Sequence, residues 1–473
     1  MSLQLFTPES WNFKQLSWPL FLISWLKKEF KMYLNFVWHF HQPVYRHPGS
    51  GEYLLPWVNY HTTKNYWQML RMVEEREFGC TVNLVPCLLE QIKGYAENKA
   101  RDMILHALLK QPEKLTEKEI IRLKRFFPRF CELGSPSELQ KKVLEFFFSP
   151  LDLPEGKSRE ELFQLREKIF SEIIDYFLKL KKKNILELTV SPYYHSILPL
   201  LINLRSAGDE VTGLPDFSHP EDASWQLQQG KDYFQKIFGY APSGLWPSEG
   251  GLSQDTCQEL TRAGFNLTFT DENLLWKSLD HLPSNDLLYQ PFDCSGVNIL
   301  FRDRELSDLI GFEYHRWPAA EAVSDFIRRL DQRADKVQEQ AICSIILDGE
   351  NPWGRYENNG TDFLRLLFDK IKENPRFQLI HPSDYLKSHK PEMSLNLKPG
   401  TWMSSFFKWV GHPDKVATWK RLAECRKKHP FSRFMAVAEG SDWFWWAGET
   451  EEKEFNLLFT LYLDKASKIE GHK

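Results

Sequence analysis

Tyr33-Leu34-Asn35-Phe36-Val37-Trp38-His39-Phe40-His41-Gln42-Pro43 decides the architecture of this chain. The run Tyr33 to Trp38 is short, apolar and rich in aromatic residues. That composition reads as a buried strand. It leads straight into polar residues, and strand alternation places His39 and His41 on one face. Seven further runs of the same kind follow: Thr81 to Val85, Ile185 to Val190, Gly244 to Trp246, Leu267 to Thr270, Val297 to Phe301, Ala341 to Leu347 and Phe377 to Ile380. Amphipathic patterns lie between most of them: Thr63 to Glu77, Lys157 to Lys182, Ser224 to Ile237, Ala319 to Gln338 and Thr361 to Asn374. Strand–helix alternation predicts an α/β fold with parallel strands. Seven or eight strands without a GxGxxG or GxxxxGK[ST] signature favour a barrel over a nucleotide-binding sheet.

Two regions break the alternation. Residues 95–182 read as almost all helix, with a break at Ser149 to Pro154, and form a predicted helical insertion. After Pro391 the pattern is helical and Trp-rich to the end. The expected organisation is an N-terminal extension at 1–31, a barrel at 32–390, and a C-terminal helical region at 391–473 that completes the site. Leu16 to Leu26 is modestly apolar, but Lys14, Lys27 and Lys28 flank it and no small-residue cleavage site follows. It reads as neither signal peptide nor anchor.

Bulk properties narrow the function. The 473 residues are 42% apolar, enough for a sizeable core, and the formal charge is −4. No strong basic field points to nucleic acid. The run Lys179 to Lys183 reads as a solvated helix end. No stretch reaches the ~18 apolar residues that span a bilayer. Seven widely spaced cysteines without a CxxC pair suggest reduced thiols and a cytoplasmic protein, with neither a zinc knuckle nor a disulfide scaffold. No cofactor or metal is expected. The 17 Trp residues supply flat faces suited to sugar rings, although on composition alone an aromatic-rich core is the favoured explanation.

In a parallel barrel, functional groups gather at the C-terminal strand ends. His39 and His41 close the first strand, and Glu187 interrupts the third. Trp246 and Glu249 follow the next, while Asp348 and Glu350 follow Ala341 to Leu347. Each has an ordinary reading as well. His39 and His41 fit substrate contact, structural hydrogen bonding or metal ligation, but spacing sets no third metal ligand. Asp348-Gly349 is a turn dipeptide, and Glu249 before two glycines fits a helix start. Together they supply what glycoside cleavage needs: two carboxyl groups flanking the bond, one ionised and one kept protonated.

These residues resemble glycoside hydrolase family 57, the α-glucan enzymes that include amylopullulanases, 4-α-glucanotransferases and branching enzymes. Five separated segments in family order carry the resemblance. They are His39-Phe40-His41-Gln42-Pro43, Leu186-Glu187-Leu188-Thr189-Val190, Gly244-Leu245-Trp246-Pro247-Ser248-Glu249, Leu347-Asp348-Gly349-Glu350-Asn351-Pro352, and the Trp-rich region beginning at Gly400-Thr401-Trp402 and continuing through Ala438-Glu439-Gly440-Ser441-Asp442-Trp443-Phe444-Trp445-Trp446. The resemblance implies an incomplete seven-stranded (β/α)7 TIM-like barrel with a helical region after it. It implies Glu249 as nucleophile and Asp348 as acid/base in a retaining double displacement on starch, glycogen or maltooligosaccharides. His39, His41, Glu187, Trp246, Glu350 and Trp402 would contact substrate. Hydrolysis of α-1,4 links, with α-1,6 links a further target, is the leading expectation, and 4-α-glucanotransferase or branching-type transfer the alternative. The segment Arg302 to Asp308 looks most like the amylopullulanase branch. His412 departs from relatives that carry an acidic residue there. Two other classes are a metal-dependent polysaccharide deacetylase using His39 and His41, and a catalytically silent α-glucan-binding protein. The sequence leaves linkage, chain length and oligomeric state open.

Overall fold

A computed structural model describes residues 30–149, 157–208, 211–279, 284–338, 340–449 and 453–469. The expectation for the N-terminal extension lies outside these residues except at Phe30 and Lys31, and residues 150–154 of the expected break lie outside them too.

Six strands and one bridging residue form the barrel. They are β1 (Met32–Phe40), β2 (Cys80–Leu84), β3 (Leu186–Val190), the bridge at Leu245, β4 (Leu267–Asp271), β5 (Val297–Arg302) and β6 (Ala341–Asp348). Parallel pairing runs β1–β2–β3, then Val190 to Leu245 to Thr268, then β4–β5. β5 meets β6 only at Arg302 and Ser344, whereas β6 pairs with β1 from Met32–Ala341 to His39–Asp348. The seven-membered ring is therefore thin at two places. One is Leu245, where the predicted strand contributes one paired residue. Phe377–Leu379 is not an eighth stave: it pairs with Met32–Leu34 alone, below the level at which β2 takes over at Val37.

Alternation divides β1 between two environments. Leu34, Phe36, Trp38 and Phe40 are fully buried in the large core shared with the surrounding helices. Val37 belongs to a second cluster with Trp246, Leu267, Phe269, Leu300, Ile342 and Ile346, which fills part of the barrel. The rest of the interior is polar, with Thr81 donating to Asn35 (3.0 Å). Strands buried on both sides cannot read as polar–apolar alternation, which is why they appear as apolar runs.

The helical insertion contains Met103–Leu109, Glu117–Phe126, Pro136–Phe148 and Arg159–Lys182. These pack a separate core around Leu108, Leu123, Val143 and Phe147. The helix predicted from Thr63 begins earlier, at Trp57, and passes through a π-helical turn at Thr62–Tyr66 before continuing over Trp67–Glu75. Beyond the barrel, helices Pro413–Lys428, Arg433–Ala438, Ser441–Trp446 and Lys453–Ala466 pack into the large core.

Just past β6, Gly349 lies against the Phe40 ring, and a Cβ there would overlap ring carbons. Gly349→Ala is expected to destabilise the fold by about 1–3 kcal/mol through overpacking. A lowered denaturation midpoint at unchanged slope checks this.

Candidate active site

Glu249 sits in a turn at Ser248–Gly250, immediately beyond Leu245 and Trp246. Its backbone is left-handed, with φ 59° and ψ 22°, so the helix-start reading does not hold. A non-glycine residue in that region costs on the order of 1–3 kcal/mol. Several contacts hold it there. The Trp402 amide donates to the Glu249 carbonyl (3.1 Å), and Thr270 Oγ1 donates to the Gly250 carbonyl (2.6 Å). The side chain is held at both oxygens: Ser441 Oγ donates to Oε1 (2.9 Å) and Trp402 Nε1 to Oε2 (3.1 Å). Hydrogen bonds to a charged group contribute ~1.5–3 kcal/mol each. Two of them offset the backbone cost, and both donors come from the region after the barrel.

Asp348 ends β6, in register with His39 on β1. Its Oδ2 accepts from Asn351 Nδ2 (2.7 Å). Burial raises its pKa, against the pull of Asn351, His41 and Arg302. Burial, then the Asp442 and Asp348 charges, push Glu249 up to about 8, while Ser441 and Trp402 pull it down. The Asp348 charge opposes ionisation of Glu249, so the two titrate as a coupled pair that holds a proton near neutral pH. That is the proton inventory of an acid–nucleophile pair.

Three imidazoles stand beside Glu249. His41 and His195 stack with ring centres 3.8 Å apart, and His39 and His195 at 5.0 Å. His41 Nε2 faces Asp442 Oδ2 at 2.9 Å. His39 has both nitrogens engaged, Nδ1 with the Asn83 amide (2.7 Å) and Nε2 with His195 Nε2 (3.1 Å). His39 therefore offers neither sugar nor metal a free nitrogen; it supports His195 instead. This also removes the His39–His41 ligand pair on which the deacetylase alternative rested.

The other sequence candidates divide. Trp402 is partly exposed above Trp246, with ring centres 5.4 Å apart. Trp246 itself is fully buried. It forms the floor under Trp402 and is not a stacking face for sugar. Glu350 is buried behind Asp348, accepting from Gln42 Nε2 (3.2 Å), and burial with the Asp348 charge pushes it well above the carboxylate range. Its place is behind the acid/base candidate, away from an open subsite. Glu187 is also displaced. It pairs with Thr81, one inward layer below the His39–Asn83–Thr189 level, and accepts the Ser383 amide (3.3 Å). Being the second residue of β3, it lies toward the opposite end of the barrel from Glu249. His412 caps helix Pro413–Lys428 by accepting the Asp414 amide.

Sequence reasoning missed His195, Ser441, Asp442 and Asn83 as parts of this site. His195 carried a readable signal, a polar residue soon after β3. Arg302 was noted only as part of a segment. It is buried at the end of β5, paired with Asp271 (3.0 Å) and Asp308 (2.5 Å), its guanidinium 5.9 Å from the Trp402 ring centre.

The fold and site define an incomplete parallel barrel with two interacting carboxyls at its C-terminal rim. The sequence pattern of glycosyl hydrolase family 57 matches residues 35–398, and the chain belongs to that family. It is 24% identical over 230 residues to a 1,4-α-glucan branching enzyme of Thermococcus kodakarensis, covering 46% of this chain and 27% of that protein. It is 23% identical over 283 residues to a 4-α-glucanotransferase of the same organism, covering 58% and 38%. The matches thus span between about a quarter and two-fifths of those relatives' lengths. An α-amylase of Thermotoga maritima shares the fold, with a TM-score of 0.62 at 18% identity over 93% of this chain and 95% of the other. Among the described residues, no helix is long and apolar enough to cross a membrane. All seven cysteines are free.

Proposed function

We propose that this chain is a retaining α-glucan-active enzyme that cleaves α-1,4 glucosidic bonds, with α-1,6 bonds a further target. The observation that carries the reading is the pair itself: Glu249, clamped at both oxygens, within the electrostatic reach of Asp348. Glu249 attacks the anomeric carbon as the glycosidic C–O bond breaks, and Asp348 gives its proton to the leaving oxygen. A glucosyl ester of Glu249 results. Asp348, now ionised, takes a proton from an incoming hydroxyl, which attacks the same carbon and frees Glu249. Two inversions retain the α configuration. His41, Asp442 and Trp402 face the same space and supply hydrogen bonds and a stacking surface to the sugar.

The identity of the incoming hydroxyl separates hydrolysis from transfer. Transfer is the second reading, favoured by the names of the two curated relatives. Maltotriose followed by chromatography tests the choice. Glucose and maltose without longer products are expected; products longer than maltotriose would reassign the enzyme as a transferase. A clean bond-cleaving or bond-transferring activity of either kind also removes the silent-binder alternative.

A further inference from the structure

The side chains behind Glu249 form an unbroken series of hydrogen bonds: Ser441, His195, His39, Asn83, Ser191. Its direction follows from its far end. Ser191 Oγ lies 2.8 Å from the Trp246 carbonyl oxygen, which only accepts, so the Ser191 proton points there. One terminal atom of the Asn83 amide lies 2.9 Å from Ser191 Oγ and 2.7 Å from His39 Nδ1. That atom is placed as Oδ1, accepting from Ser191, but one hydroxyl proton cannot serve two oxygens; the amide is therefore assigned turned over, its NH2 donating to Ser191 Oγ and His39 Nδ1 while the Trp246 carbonyl takes the Ser191 proton. The amide oxygen then faces Thr189 Oγ1 at 3.1 Å, where it accepts the threonine proton. His39 Nδ1 accepts from Asn83, so His39 carries its proton on Nε2 and donates to His195 Nε2 (3.1 Å). His195 then carries its proton on Nδ1 and donates to Ser441 Oγ (2.9 Å), which donates to Glu249 Oε1 (2.9 Å). Every link is satisfied with two neutral imidazoles and an ionised Glu249. Reversing the chain would need one more proton, on Glu249 or on an imidazole.

We infer that Asn83, His39, His195 and Ser441 form a one-directional hydrogen-bond chain that favours the ionised, attacking form of Glu249 over its protonated form. This rests on the reading of Glu249 as nucleophile. His195 and Asn83 are positioning residues, acting through Ser441 without touching substrate. Aligned links polarise one another, so the last donor is stronger than a lone hydroxyl. The rings stay neutral because burial holds His39 near 3 and His195 well below its ordinary value. The titratable groups facing His195 are His39, His41 and Glu249; Asp442 faces His41, and Asp442 and Asp348 act on Glu249.

Nitrogen NMR of protein labelled at histidine reads the tautomers directly, with His39→Gln and His195→Gln used for assignment. The expected result is His195 protonated on Nδ1 and His39 on Nε2. A proton on His195 Nε2 or His39 Nδ1 would overturn the chain, whatever the enzyme's activity. Asn83→Asp replaces the donor with an acceptor and should drive His39 to the Nδ1 tautomer. The acidic limb of kcat/KM should then move up by about one pH unit, the equivalent of losing one charge-assisted hydrogen bond. Ser441→Ala should move it in the same direction. An unmoved limb in both variants, with tautomers as expected, would show that the chain does not govern Glu249.

Discussion

Glu249→Ala is expected to lower kcat on maltooligosaccharides by at least ~10³-fold, since the group that forms the covalent bond is gone and water must attack unaided. The loss should fall on kcat more than on KM, because the subsite around His41, Asp442 and Trp402 remains. The variant leaves a cavity where the carboxylate stood, opposite the leaving oxygen. Azide entering that cavity attacks the anomeric carbon once, with a single inversion. The expected product is therefore a β-glucosyl azide, with partial recovery of rate. Turnover near that of the unaltered enzyme would remove Glu249 from the nucleophile role.

The second large effect belongs to Asp348→Asn. General acid–base assistance contributes roughly 10²–10⁴-fold. The variant should lose that much on maltooligosaccharides, whose sugar leaving group needs a proton. It should lose far less in the first step with α-glucosyl fluoride, because fluoride departs without one. Azide here attacks the glucosyl ester in place of an activated hydroxyl, giving an α-glucosyl azide. The opposite configurations of the two azide products are what separate the carboxyls into two roles. Equal losses on both substrates would mean that Asp348 acts on binding or folding and not on the leaving oxygen.

The pH dependence follows from the same pair. Attack needs Glu249 ionised, and departure needs Asp348 protonated. Below the range where the pair holds one proton, both carboxyls are neutral and attack fails. Above it, both are charged and protonation of the leaving oxygen fails. Burial raises both groups, so the window lies higher than for exposed carboxyls.

The barrel was legible because its strands are apolar on both faces and separated by amphipathic helices. The weakest stave shows the limit of that signal. Gly244 to Trp246 reads as a strand, yet only Leu245 pairs, since the chain turns at once into the left-handed Glu249. Glu249 and Asp348, the carboxyls proposed as catalytic, were legible as candidates from their places after strands and from the five-segment resemblance. Depth along the barrel was not. Glu187 and Thr189 share the inward face of β3, but a period-two pattern says nothing about which end of the barrel a residue faces. Trp246 misled for a related reason: aromatic composition marks stacking surfaces and core equally, and full burial decided for core. Ser441 and Asp442 were quoted within the Trp-rich run without a role. They reach Glu249 and His41 across 192 and 401 residues of chain, a separation no local pattern encodes.

The covalent glucosyl ester on Glu249 is the step from which the other roles follow. Incubation with 5-fluoro-α-glucosyl fluoride slows both steps but keeps a good leaving group, so a glucosyl ester should accumulate. Peptide mapping by mass spectrometry is expected to place that sugar on Glu249 and to find Asp348 unlabelled. A label on another carboxylate, or steady turnover of the reagent by the enzyme without any labelled peptide, would contradict it.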